Sequence, residues 1–168
     1  MKKLLLSGLA TAVFAISGSA MAANFVAGQD YIFVRTPAAM NPVWEQAARA
    51  YYVSEALGVR KKTHLTLFHA IHDQNQPILE QPALAKFYTQ FGIPEAKFNS
   101  TYKSFAITSK IAQAQDLAKR YQLSGVPAVT VNGKYIVQGE DAKVTQVVDY
   151  LIEKERAAKK AESVLSPY

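Results

Sequence analysis

At 168 residues, 49% apolar and 19% charged, the chain is long enough for one domain with a real core and too apolar for wholesale disorder. Its formal charge of +6 falls in short basic groups with no dense stripe and no binding motif, which excludes a nucleic-acid reading. It contains no cysteine, which excludes thiol chemistry, structural disulfides and cysteine-ligated metal.

The opening segment, MKKLLLSGLATAVFAISGSAMA, has two lysines, an apolar run and then Ala20-Met21-Ala22. This is the three-part pattern of a secretory leader. A membrane anchor is the competing reading, but the run is short for a span and is broken by Ser17, Gly18 and Ser19. Cleavage after Ala22 is expected, giving an exported, soluble chain that begins at Ala23. Two positive charges, Lys2 and Lys3, leave with the leader.

In the mature chain, Gly28-Gln29-Asp30 signals a turn. Residues 31–35, β-branched and aromatic, predict a strand that Pro37 stops. Asn41 then offers an N-cap and Pro42 a first helical residue, where the missing N–H costs nothing. The helix is expected to run to Gly58, with Trp44, Ala48, Tyr51, Tyr52 and Ala56 on one face. A second helix is expected in KTHLTLFHAIH, a third in PALAKFYTQF and a short fourth from Pro94. A long fifth carries Phe105, Ile107, Ile111, Ala114, Ala118 and Tyr121 as its apolar stripe.

The period then changes from helical to alternating. AVTV and KYIV flank Asn132-Gly133, a strong hairpin signal because both residues tolerate the positive φ of a type I′ turn. Asp141 is expected to cap a last helix with Val144, Val147, Val148, Leu151 and Ile152 inward. Its basic residues alternate with Glu153 and Glu155 as on a solvated face, and residues 159–168 are expected to form a frayed tail.

Few residues carry chemistry. His64, His69 and His72 cluster, with Asp73 beside them, but no metal-site spacing is present and ordinary imidazoles are the expected reading; no metal or other cofactor is expected. Asn99-Ser100-Thr101 matches a glycosylation acceptor, a pattern common by chance. Glu140-Asp141 is better explained as a helix cap. Pro127, in SGVPAVTVNGKYIVQG, either simply opens a strand, where a missing donor is harmless, or follows a cis bond. X-Pro bonds are cis in only about 5% of cases, so pattern alone leaves both open.

Taken together, the leader, FVAGQDY, FVRTPAAMNPVWEQAARAYYVSEALGV and FNSTYKSFAITSKIAQAQDLAKRYQLSGVPAVTVNGKYIVQG make the chain resemble the periplasmic thiol:disulfide interchange proteins of DsbA type. The resemblance implies an α/β, thioredoxin-like fold with a helical insertion and a C-terminal helix. Residues 23–38 and 122–158 would form the thioredoxin-like part and residues 39–121 the insertion. In that family a Cys-x-x-Cys pair oxidises newly exported polypeptides, and a quinone-linked membrane partner reoxidises it. Gly125, Val126 and Pro127 would be the cis-proline loop that faces the redox pair and presents a backbone edge to substrate.

Here the elements that flank the redox segment join directly at Tyr31-Ile32-Phe33-Val34. Roughly forty residues bearing the central strand, the cysteine motif and its helix are absent, where a strand-plus-helix unit takes about 30 or more. An inactive oxidoreductase relative is expected, with no catalytic residue. A non-redox peptide-binding or chaperone-like module is the alternative. Without the central strand, residues 32–35 are expected to pair directly with residues 128–131 in a sheet of about three strands with one face thinly covered, which would favour self-association.

Overall fold

A computed structural model describes residues 23–25 and 31–165. The leader, residues 1–22, and the Gly28-Gln29-Asp30 turn lie outside the described residues. The chain divides into two compact units, Met1–Arg35 and Thr36–Tyr168.

In the first unit, β1 (Ala23–Phe25) pairs antiparallel with β2 (Ile32–Val34), with Ala23 opposite Val34 and Phe25 opposite Ile32. The sequence predicts β2 but not β1, because Ala-Asn-Phe is too short to show alternation. The Arg35 guanidinium lies 4.8 Å from the Phe33 ring centre, within cation–π range.

Among the described residues the pairing expected between residues 32–35 and residues 128–131 is not made: β2 pairs with β1, and residues 128–131 with residues 135–138. A local hairpin closes a short loop, whereas the expected ladder would close the chain across the whole helical block at a larger entropic cost. The fold class stands: the described residues form six helices and small antiparallel sheets.

The second unit begins with five helices, α1 (Pro42–Ala56), α2 (Arg60–His72), α3 (Gln81–Thr89), α4 (Glu95–Tyr102) and α5 (Phe105–Arg120). Asn41 caps α1, its side chain accepting from the Trp44 N–H at 2.9 Å, and Pro42 takes the first helical position. Gly58 then turns the chain into α2 with a φ of +70°, which favours glycine. Ser104 caps α5 in the same way, accepting from the Ile107 N–H at 3.3 Å.

Packing widens the buried surface of α1 beyond one stripe. Ala48 and Tyr52 are buried as expected, but Trp44 and Ala56 are exposed and Ala50, Val53 and Ser54 are buried as well. The reason is that α1 packs on α2, α4 and α5 at once, so a single face is not enough. In α5, Ile107, Ile111 and Ala114 are buried, whereas Phe105, at the first turn, is 86% exposed.

The largest fully buried side chains are Tyr88, Phe98, Leu84, Ile107 and Val53. Tyr88 and Phe98 lie 4.8 Å apart between ring centres, and Phe98 and Tyr102 5.7 Å. Each such side chain removed from water contributes about 1.5–3 kcal/mol. The Tyr88 hydroxyl donates to the Ala50 carbonyl at 3.2 Å, and burial raises its pKa against the opposing effect of the Thr63 and Ser54 hydroxyls. Burial likewise pushes Tyr52 up to about 12, with the nearby Glu55 charge adding to it.

Arg49 ties the helices together, donating to Glu45 at 3.0 Å and to the Tyr102 carbonyl and Thr108 hydroxyl at 3.4 Å each. The contiguous core cluster runs from Ala39 to Ile111. It therefore contains none of the hairpin or last helix that follow.

That remaining part comprises β3 (Ala128–Val131), β4 (Tyr135–Gln138) and α6 (Lys143–Leu165). Asp141 caps α6, accepting from the Lys143 N–H at 2.8 Å. The helix continues through residues 159–165, where the sequence predicts a tail.

Because Phe98 is fully buried between two aromatic rings, Phe98→Ala is expected to lower the unfolding free energy by about 3–5 kcal/mol in a denaturant titration. A loss under about 1 kcal/mol would show that this core collapses around the gap.

Candidate functional site

The loop of interest follows α5. That helix ends at Arg120 in a Schellman arrangement: the Leu123 N–H bonds the Ala118 carbonyl and the Gln122 N–H the Lys119 carbonyl, both at 3.0 Å. Gln122 takes the left-handed position with a φ of +50°. The helix thus stops ahead of Ser124-Gly125, at a residue that carries no glycine or asparagine signal.

Residues 124–127 then lead into β3. The Val126–Pro127 peptide bond is cis. Val126 is 53% exposed and Pro127 is exposed, so the loop presents its surface to solvent. Nothing lies within 4 Å of a Cβ built on Gly125, so steric crowding does not demand glycine there.

The hairpin has the chemistry expected of it. Asn132 and Gly133 both have positive φ, +50° and +68°, and the Lys134 N–H closes the turn on the Val131 carbonyl at 3.0 Å. Ala128 lies opposite Gln138 and Val131 opposite Tyr135. This register puts Val129, Val131, Tyr135 and Val137 on one face. Lys154 of α6 sits 5.2 Å above the Tyr135 ring, and Val131 and Leu151 are buried, so this is the covered face. On the other face Thr130 and Gln138 are exposed and Ile136 is 46% exposed. Among the described residues β3 has one ladder neighbour, β4, so its second edge carries no strand.

The hairpin tip is clamped to α6. Asn132 donates to the Glu155 carboxylate, and the Lys134 ammonium bonds the same group at 2.8 Å. These contacts hold Glu155 below the usual carboxylate range, Lys134 first and Asn132 second, and the Glu155 partner raises Lys134. The sequence shows Glu155 only as one of several alternating charges. Its role comes from partners about twenty residues away, which no local pattern marks.

The other candidates lie apart from this loop. His64, His69 and His72 are all on α2: His69 pairs with Asp73, His72 packs on Phe68 at 4.4 Å, and His64 meets Tyr51 at 6.0 Å. Among the described residues no three His, Cys, Asp or Glu side chains could hold a metal together. Asn99 is half-buried in α4 and its side-chain oxygen accepts from Gln81 at 2.6 Å. The loop thus offers backbone groups, small side chains and an open strand edge, with no nucleophile.

Residues 23–151 match the sequence profile of the DSBA-like thioredoxin domain. Over 135 residues the chain is 38% identical to the thiol:disulfide interchange protein DsbA of Pseudomonas aeruginosa, covering 78% of this chain and 64% of that protein. The chain thus spans about two-thirds of the length of the curated relatives it matches, short of the whole. A crystal structure of Pseudomonas aeruginosa DsbA is similar with a TM-score of 0.68 at 38% identity, covering 76% of this chain and 69% of that one. A cysteine-to-serine variant of Proteus mirabilis DsbA, solved with a non-covalently bound peptide, gives a TM-score of 0.55 at 25% identity, covering 68% and 66%.

The clamp has a defined pH window. The Glu155 contribution is present above the ordinary carboxylate pKa and is lost as pH falls through its lowered folded value. The Lys134 contribution is present below the ordinary ammonium pKa and is lost as pH rises through its raised one. Amide protection at Lys134, whose N–H closes the turn, is therefore expected to fall as pH drops below the ordinary carboxylate range. Glu155→Gln should lower it at neutral pH and flatten that dependence. Unchanged protection in the variant would show that the turn holds itself.

Proposed function

The chain belongs to the DSBA-like thioredoxin family, and from that premise we propose that it is a redox-silent member that binds extended segments of exported polypeptides without exchanging disulfides. The observation that carries this reading is a family match over residues 23–151 in a chain with no cysteine. Thiol–disulfide exchange begins with a thiolate attacking a disulfide sulfur, and no other side chain substitutes for it. A quinone-linked membrane partner would find no thiol pair here to reoxidise.

What remains is a surface for backbone recognition. The Gly125, Val126 and Pro127 loop leads into a strand whose second edge is open, and an extended peptide added there would gain main-chain hydrogen bonds. The relative solved with a non-covalently bound peptide supports this mode, since it holds that ligand without a covalent link. The open face beside Ile136 offers a modest apolar contact. In this reading the absent segment is the central strand and redox helix, and the leader-like residues 1–22 direct the chain to the periplasm. No described helix is long and apolar enough to cross a membrane.

Two measurements test the proposal. In a reduced-protein refolding assay freed of contaminating oxidoreductases, the chain should give no disulfide formation above buffer. In a titration with an unfolded exported polypeptide, amide shifts should concentrate at residues 125–131. Val126→Asp, an exposed change, should weaken binding by about tenfold, or ~1.4 kcal/mol. Shifts confined to other surfaces, or an unaffected variant, would remove the loop from the binding role.

A further inference from the structure

On the helical block, away from the loop, Pro37, Ala38 and residues of α1, α2 and α3 border a half-open recess of about 230 Å³. A volume of roughly 150 Å³ is enough to hold benzene when it is closed. Its walls are mostly rings and aliphatic groups, with Tyr51, His64, Leu67, Phe68, His72 and Tyr88 among them. The rings are already set in edge or tilted contact, Tyr51 with His64 at 6.0 Å and Phe68 with His72 at 4.4 Å. Phe68 is 49% exposed although it lines an apolar recess, so part of its ring meets solvent.

The lining carries no fixed charge, and Asp73, next to His72, is paired with His69. No carboxylate lines the recess, while two imidazoles do. Arg60 stands beside it with its guanidinium 5.6 Å from the Tyr51 ring centre, and Lys61 and Lys62 follow in the first turn of α2, whose N-terminal end adds partial positive charge. Glu55, the acidic side chain at this end, is engaged with Arg60 at 3.2 Å.

We propose that this recess is a binding site for a small aromatic carboxylate, its ring stacked among Tyr51, Phe68 and Leu67 and its anionic group directed to His64 and the basic first turn of α2. An aromatic ring suits the edge-and-face surfaces of the walls, and Arg60 beside Tyr51 together with the basic first turn of α2 favours an anion over a cation. The site is independent of the peptide-binding reading, since no residue of the loop or hairpin takes part.

The test is a titration of the full chain with sodium benzoate, benzylamine and cyclohexanecarboxylate, followed by NMR at the ring and amide resonances of α1 and α2. Benzoate is expected to give saturable shifts at Tyr51, His64 and Phe68 with a Kd on the order of 1 mM, as befits so small a ligand. Benzylamine and cyclohexanecarboxylate should each bind at least about fivefold more weakly, the first for its charge and the second for its missing ring. Phe68→Ala removes an exposed ring without opening the core and should weaken benzoate severalfold. His64→Gln should erase the preference for benzoate over benzylamine.

Absence of saturable benzoate shifts would overturn the proposal, as would equal binding of the three probes or indifference to both variants. Broadening at these residues that grows with protein concentration and not with benzoate would mark the recess as an interface between copies, and would equally overturn it.

Discussion

The stacked ring column of Tyr88, Phe98 and Tyr102, anchored by the Tyr88 hydroxyl on the Ala50 carbonyl, is the contact on which the helical block depends. It joins α3 and α4 to each other and ties them back to α1 through a hydrogen bond made out of reach of water. A buried hydroxyl without a partner would cost about 1–3 kcal/mol, so this bond also fixes how α3 sits on α1. Arg49 adds a second tie from α1 to the end of α4 and to α5. Both ties lie within the helices and the contiguous core runs from Ala39 to Ile111, so the block draws none of its core from β3 or β4.

The hairpin and α6 obey a different economy of contacts. Their buried side chains are few, Val131 and Leu151, and the sheet is covered on one face. Turn chemistry at Asn132 and Gly133 and the Glu155 clamp do much of the work that a third strand and a second covering helix would otherwise do. Charged contacts at an exposed tip are weak and screened by salt, which makes this part the more responsive to solution conditions. The open edge of β3 follows from the same shortage of partners, and it is this shortage that leaves main-chain groups available to a peptide.

Chemically, the chain separates recognition from reaction. The surface that would hold a polypeptide needs only backbone geometry and a few exposed small side chains. The reaction needs a thiolate of depressed pKa, and that requirement cannot be shared out among other residues. A chain without cysteine therefore lacks the group that exchange requires, whereas the groups that backbone recognition requires are present.

Much was legible from the chain itself. Asn41-Pro42 marked the start of α1, Asn132-Gly133 the turn and Asp141 the start of α6, because caps and turns depend on a residue and its near neighbours. The absence of a thiol pair was equally plain, since it rests on composition alone. Three things were decided only by tertiary structure. β2 took β1 as its partner instead of β3. Trp44 and Phe105 were left outside while Ala50, Val53 and Ser54 went in. Glu155, one of several alternating charges, became the clamp of the hairpin. In each case the local period says which residues can face inward or pair. Which of them do so is set by loop closure and by the number of neighbours an element must pack against, and neither quantity is written in any short stretch of sequence.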